Sequence, residues 1–175
     1  NTNDSVINVD KLTYAGNLEN LKAIENAPTP KARELLEMAA SYLGKHEERD
    51  RAELQSFLGF DPTQTPWCKW FTNSCARAVW IPLNSWGSLS SLTGVNDGRP
   101  LRQNEQPLPW DVVVVRRDGW GHIWFCLWIS PNGHPIIIGW NQSNMVSVKE
   151  ETRTLVWISR IAWEPSETPT ETPVA

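Results

Sequence analysis

Between residue 30 and about residue 79, apolar residues recur at intervals of three and four, whereas from Trp110 onward they alternate with period two. The first regime predicts helices. Thr29 is a good N-cap, Pro30 suits a first helical position, and Leu35, Leu36, Ala39 and Leu43 make one stripe that ends at Gly44. Within HEERDRAELQSFLGF, residues Leu54, Phe57 and Leu58 form a shorter second stripe. A third runs through Phe71, Cys75 and Val79, after the turn-rich DPTQTP at 61–66. The stretch IPLNSWGSLSSLTGVNDGRP is loop by composition. The second regime predicts four or five strands, DVVVVRR, HIWFCLWI, HPIIIGWN, MVSV and TLVWISRIAW, joined by Gly and Asn turns. Helices first and an antiparallel sheet after them make an α+β domain over residues 28–163.

Both flanks differ from this domain. Residues 1–27 read as an arm: DSVINVD alternates Val6 and Val9 around Ile7 as a short strand does, and Leu18, Leu21 and Ile24 have helical spacing. NVDKLTYAGNLENL resembles the second strand and following segment of dTDP-glucose 4,6-dehydratases, which are nucleotide-sugar enzymes with a Rossmann fold. That likeness covers about the first 24 residues. The glycine-rich phosphate turn that should precede the strand is missing, and Asp10, which would lie near the cofactor's ribose, has no pocket. The segment therefore reads as a fused fragment without NAD. At the other end, EPSETPTETPVA (164–175) has too little apolar area to fold and is expected to be disordered.

Composition narrows the function classes. A net charge of −4 gives no broad basic surface, so neither nucleic acid nor an anionic membrane is an expected partner. The longest apolar runs, IWFCLWI and PIIIGW, fall short of the roughly 20 residues that span a bilayer. No N-terminal secretion signal is visible, so export needs another route or a further segment. Three cysteines, an odd number, argue against a disulfide framework, and no C-x-x-C or H-E-x-x-H spacing suggests a metal, so no cofactor or metal is expected. Eleven tryptophans are the outlier: they suit a core, a glycan-binding face or a partner surface.

Three residues carry candidate chemistry. Cys68, in TPWCKW, opens the third predicted helix, where unpaired N–H groups and the macrodipole favour a thiolate; Cys75 falls mid-helix and Cys126 mid-strand. Free cysteines are also among the most buried residue types, so a purely structural Cys68 stays open at this point. A base must lie within reach. His46 sits in a charged helical segment and His134 in a turn, but His122 opens a strand after GWG and shares a face with Trp124, Cys126 and Trp128. If Asn132-Gly133 forms a two-residue hairpin turn, Trp124 faces Asn141 and His122 faces Ser143, which sets Asn141 on the histidine's face to orient the imidazole. A slip of one residue would present Gln142 instead.

TPWC before a helix, WDVVVVRR, GHIWF and GWNQ together resemble the NlpC-like and CHAP-like papain-type cysteine hydrolases, notably a phage-associated subgroup with TPWC, GH and GGNQ signatures. The match spans about residues 31–163; Trp110 and Trp140 stand where glycines are usual. The resemblance implies a papain-like fold, with the catalytic cysteine at a helix N-terminus packed on an antiparallel sheet. It implies Cys68 as nucleophile, His122 as general base and Asn141 as orienting residue, with Trp67, Trp120, Trp140 and Gln142 contacting substrate. It also implies an amide bond of bacterial peptidoglycan as substrate, cut by an endopeptidase or an N-acetylmuramoyl-L-alanine amidase without a metal. Action in the periplasm or cell wall would follow, either as a phage lysis enzyme or as an injected toxin held by a cognate immunity protein. Two other readings are a non-catalytic Trp-rich module for glycan or protein, and a papain-like hydrolase or deamidase acting on a protein.

Overall fold

A computed structural model describes residues 22, 24–85, 87, 88, 90–102, 104–117, 120–153 and 155–161, without the side chains of Arg117, Trp120 and Val156. The strand expected near Val6–Val9 and the tail at 164–175 lie outside the described residues. Ile24, from the end of the arm, is buried against the domain's core.

Lys22, Ile24 and Glu25 are helical, and three further helices follow among the described residues: α1 (Pro30–Ala40), α2 (Arg51–Leu58) and α3 (Cys68–Ala78). Thr29 caps α1 as its sequence predicts, accepting a bond from the Ala32 N–H at 3.1 Å, and Pro30 takes the first turn. The helix stops at Ala40, before the expected Gly44; Gly44 instead adopts φ +79 and donates to the Val146 carbonyl on the sheet. Gly59 ends α2 in the left-handed conformation, with its N–H on the Gln55 carbonyl. A 3-10 turn, η1 (Ser91–Asn96), then leads into strands β1 (Arg99–Pro100), β2 (Val112–Arg117), β3 (Trp120–Ile129), β4 (Pro135–Gln142), β5 (Met145–Glu150) and β6 (Leu155–Arg160).

The fold is α+β, with one six-stranded antiparallel sheet in the order β1-β6-β2-β3-β4-β5. One sheet face carries Ile123, Phe125, Ile138 and Trp140 and packs under α3 and η1. Phe71 of α3 stacks on Trp140 with centroids 4.4 Å apart, and Phe125 meets Trp140 edge-on. Tyr42, Phe57 and Phe71 extend the aromatic cluster toward α1 and α2. Close seating of η1 depends on Gly94 and Gly121: a Cβ on the first would strike Ile123, and one on the second would strike Leu92. At the strand ends, Arg160 of β6 reaches the buried Asp111 carboxylate through Nε (3.1 Å) and Nη2 (3.0 Å) and so ties β6 to β2. The adjoining Trp110 is buried at φ +90, a conformation that favours glycine.

The β3–β4 hairpin departs from the expected two-residue turn. Ser130 N–H bonds the His134 carbonyl (2.8 Å) and Gly133 N–H bonds the Ser130 carbonyl (2.9 Å), so the loop is Pro131-Asn132-Gly133, with Gly133 at φ +81. Proline explains the difference. A two-residue type I′ turn needs positive φ at Asn132, which Asn132 does not adopt, whereas Pro131 is preset for the first central position of an ordinary type I turn. A shift between Cys126 and Trp128 then moves the register again, leaving Phe125 opposite Ile138. Residue numbers of paired positions there sum to 263 rather than the expected 265. That even displacement keeps Phe125, Cys126 and their partners on the expected faces, whereas Trp128–Ile136 and Ile129–Pro135, nearer the loop, sum to 264.

Candidate active site

Cys68 is the first residue of α3, where the helix's leading N–H groups have no carbonyl within the helix to bind. The backbone N–H groups of Lys69, of Cys68 itself and of Ile123 act on its thiol and lower its pKa. The Ile123 contact has a structural cause. Cys126 directs its N–H and C=O at Asp111 and Trp110 beside β2, so two-residue alternation turns the Ile123 N–H the other way, toward β4. The β3–β4 ladder ends at Phe125–Ile138, and beyond it β4 leaves the regular register. The thiol takes the Ile123 N–H in the gap. Ile123 follows His122 in the chain, but strand alternation puts the imidazole on the other face of β3, stacked on Trp124 and lining a cavity whose described walls do not include Cys68.

Trp140 holds this arrangement from the other side. Its indole stacks on Phe71 while Nε1 donates to the Cys68 carbonyl, which also receives the Thr72 hydroxyl at 3.2 Å. Trp140 and Trp67 are both fully buried, and the Trp67 Nε1 donates to Glu47 Oε2 at 3.0 Å. Neither offers a ring face to substrate, which corrects the expectation drawn for them: an indole's area and single donor are better satisfied here by the core. The side chain of Trp120 lies outside the described residues.

His122 and Asn141 line one cavity of about 390 Å³, together with Trp124, Gln142, Ser143, Met145, Ser147, Val148, Lys149 and Arg153. The imidazole stacks parallel to Trp124, with centroids 5.3 Å apart and planes within 4°. Asn141 has φ +57, and this kink breaks the alternation of β4 so that Asn141 and Gln142 both reach the cavity. Both residues weighed as the orienting partner of His122 therefore line its cavity. Ser143 and Asn144, at φ 52 and 64, then make the tight turn into β5, where Gln142 pairs Met145.

Sequence reasoning missed three residues. Ser91 Oγ of η1 lies 2.8 Å from Cys68 Sγ, with both groups buried. Behind them Lys69 and Asp97 form an ion pair at 0% side-chain exposure. Lys69 also donates to Asn73 Oδ1 (2.8 Å), and Asp97 Oδ1 accepts the Ser85 N–H (2.9 Å) and hydroxyl (2.6 Å). Asp97 ends η1, so this pair clamps η1, and with it Ser91, onto α3. Nothing in the spacing of SLTGVND marks Ser91 or Asp97; in a serine-rich loop the buried hydroxyls of Ser85 and Ser91 look like the rest.

Electrostatically the thiol is held between opposing effects. Burial pushes the Cys68 thiol above its ordinary value, while Ser91 and the three N–H groups pull it down. Cys68 is 4% exposed, so the partly open thiol expected of a nucleophile is absent from this conformation. Burial alone raises Cys75, and it pushes Cys126 up to about 12. Among the described residues, no three His, Cys, Asp or Glu side chains gather where they could hold a metal ion. None of the described helices is long and apolar enough to cross a membrane.

Comparison with known proteins adds one short match. A 26-residue stretch, 15% of this chain, is 85% identical to dTDP-glucose 4,6-dehydratase of Escherichia coli. It spans 7% of that enzyme's length. No protein-family model matches the chain, and no solved structure matches it.

Proposed function

We propose that the protein is a papain-like cysteine hydrolase of the NlpC and CHAP type that cleaves an amide bond of bacterial peptidoglycan. The observation that supports the reading is Cys68 itself: a thiol at the head of α3, with the Ser91 hydroxyl 2.8 Å from its sulfur and the backbone N–H groups of Lys69, Cys68 and Ile123 lowering its pKa. In this reading the Cys68 thiolate attacks the amide carbonyl, and N–H groups at the start of α3 stabilise the oxyanion. His122 protonates the leaving amine, then activates the water that hydrolyses the thioester. Asn141 orients the imidazole from the shared cavity wall. Because Ser91 covers the sulfur, substrate must displace η1 to reach it.

A different observation favours a second reading. The near-complete burial of Cys68 suits a non-catalytic module with a structural cysteine. Incubation with purified sacculi separates the two. The hydrolase reading expects new amino termini in the released fragments and complete loss with Cys68→Ala. Intact sacculi after prolonged incubation, or full release by Cys68→Ala, would overturn it. Delivery as a phage lysis enzyme or as a toxin with an immunity protein belongs to the same proposal, as does action on the wall from the periplasm.

A further inference from the structure

The face that η1 turns inward carries almost no apolar area. A 3-10 helix repeats every three residues, and at that spacing η1 and its C-cap bury Ser91, Gly94 and Asp97: a hydroxyl, a bare backbone and a carboxylate. Leu92 and Val95 are only partly buried, and Asn96 is exposed. Polar bonds and close fit therefore hold the segment. Ser91 meets Cys68 Sγ at 2.8 Å, Asp97 pairs with Lys69, and Gly94 and Gly121 let η1 lie against β3. Asp97 Oδ1 also accepts the N–H (2.9 Å) and the hydroxyl (2.6 Å) of Ser85, and the Asn84 amide donates to the Asn96 carbonyl at 2.8 Å. One carboxylate thus ties the chain on both sides of η1 to α3. Lifting η1 exposes little apolar surface, and water replaces the hydrogen bonds that break. Cys75 and Cys126 differ: both are fully buried in the apolar core, one on α3 and one on β3.

We propose that η1 is a latch over Cys68: it opens as a local unit while the helices and the sheet stay folded, and the Lys69–Asp97 pair holds it shut. In the closed state the sulfur is 4% exposed. Opening uncovers it and hydrates it in one movement. Burial is what raises the thiol's pKa above its ordinary value, so hydration favours the thiolate that the closed state disfavours. A reactant that meets only the open state has an effective affinity reduced by the fraction of molecules open. The opening stands on these contacts alone; that it gates turnover rests on the hydrolase reading.

The test labels the full wild-type chain with iodoacetamide across a urea series, reads each cysteine by peptide mass spectrometry, and follows amide exchange in the peptide that carries Ser91–Asp97. A local latch makes Cys68 labelling and the exchange of the Thr93 and Asp97 amides nearly independent of urea below the unfolding transition, whereas Cys75 and Cys126 follow global unfolding. One urea slope shared by all three cysteines overturns the proposal. So does labelling of Cys68 at the rate of a free thiol, which leaves no closed state. Two variants probe the seat and the lock. A Cβ at residue 121 comes within 2.9 Å of the Leu92 nitrogen, so Gly121→Ala pushes the η1 backbone away; it should speed Cys68 labelling at least tenfold and leave Cys75 and Cys126 unchanged. Lys69→Met combined with Asp97→Asn removes the ion pair without leaving a lone buried charge and should do the same. Unchanged Cys68 labelling in both folded variants overturns the latch. Incubation of wild-type protein with sacculi separates the two claims. Local opening with intact sacculi leaves the latch standing and removes the hydrolase reading; turnover by a chain whose Cys68 follows global unfolding does the reverse.

Discussion

Replacing Ser91 with alanine removes one oxygen from a buried pair and nothing else, so it isolates what that hydroxyl does for Cys68. With a neutral thiol either atom of the 2.8 Å contact can donate. With a thiolate only the serine can. A hydrogen bond to a charged group contributes roughly 1.5–3 kcal/mol. At about 1.36 kcal/mol per pKa unit, losing it should raise the Cys68 pKa by roughly one to two units. The direction follows from the charge: removing a donor destabilises the anion, so the thiol holds its proton to higher pH. The assay is the pH dependence of iodoacetamide alkylation, read site by site by peptide mass spectrometry. Cys75 and Cys126 serve as internal controls, because burial holds the first well above its ordinary value and the second at about 12. Midpoint and plateau report different things. A more accessible sulfur raises the plateau rate, whereas a lost donor moves the midpoint upward and lowers the rate on the acid side about ten- to a hundredfold. A folded Ser91→Ala protein with an unmoved or lowered midpoint would refute the reasoning.

Other consequences follow from the same geometry. Lys69→Met should destabilise the protein by roughly 3–5 kcal/mol in urea denaturation, because it leaves Asp97 charged and unpaired in the interior; adding Asp97→Asn should recover part of that loss. Asn141→Ala should lower turnover on sacculi by about ten- to a thousandfold. It combines loss of the amide with strain at φ +57, so Asn141→Gly, which tolerates that angle, should show the catalytic loss with a higher melting temperature than the alanine variant. Glu105 is held down to about 2, first by the side-chain bond from Arg99 and then by the Arg102 N–H. A depressed carboxylate stabilises the fold above its unfolded pKa of about 4.3 and loses that contribution as pH falls toward 2, so Glu105→Gln should flatten the stability profile across that window.

Much of the framework was legible in local pattern. Thr29-Pro30 announced the start of α1, and five alternating runs announced β2 to β6, because capping and the two-residue strand period depend on neighbours in the chain. Cys68 at the head of α3 and His122 on β3 were legible for the same reason. What distant contacts decide was not. Pro131 changed the hairpin loop and the shift between Cys126 and Trp128 moved the register, yet the net displacement was even and Asn141 kept its face. The end of the β3–β4 ladder at Phe125–Ile138 and the kink at Asn141 are likewise set by the folded sheet rather than by local pattern. Trp67 and Trp140 could stack on a ligand as readily as in a core on sequence grounds; packing against Glu47, Phe71 and the Cys68 carbonyl determined that both are interior. Ser91 and the Lys69–Asp97 pair reached the thiol through contacts 23 and 28 residues apart in the chain. Such partners leave no periodic trace, because their energy comes from desolvation and from geometry that exists only once the chain has folded.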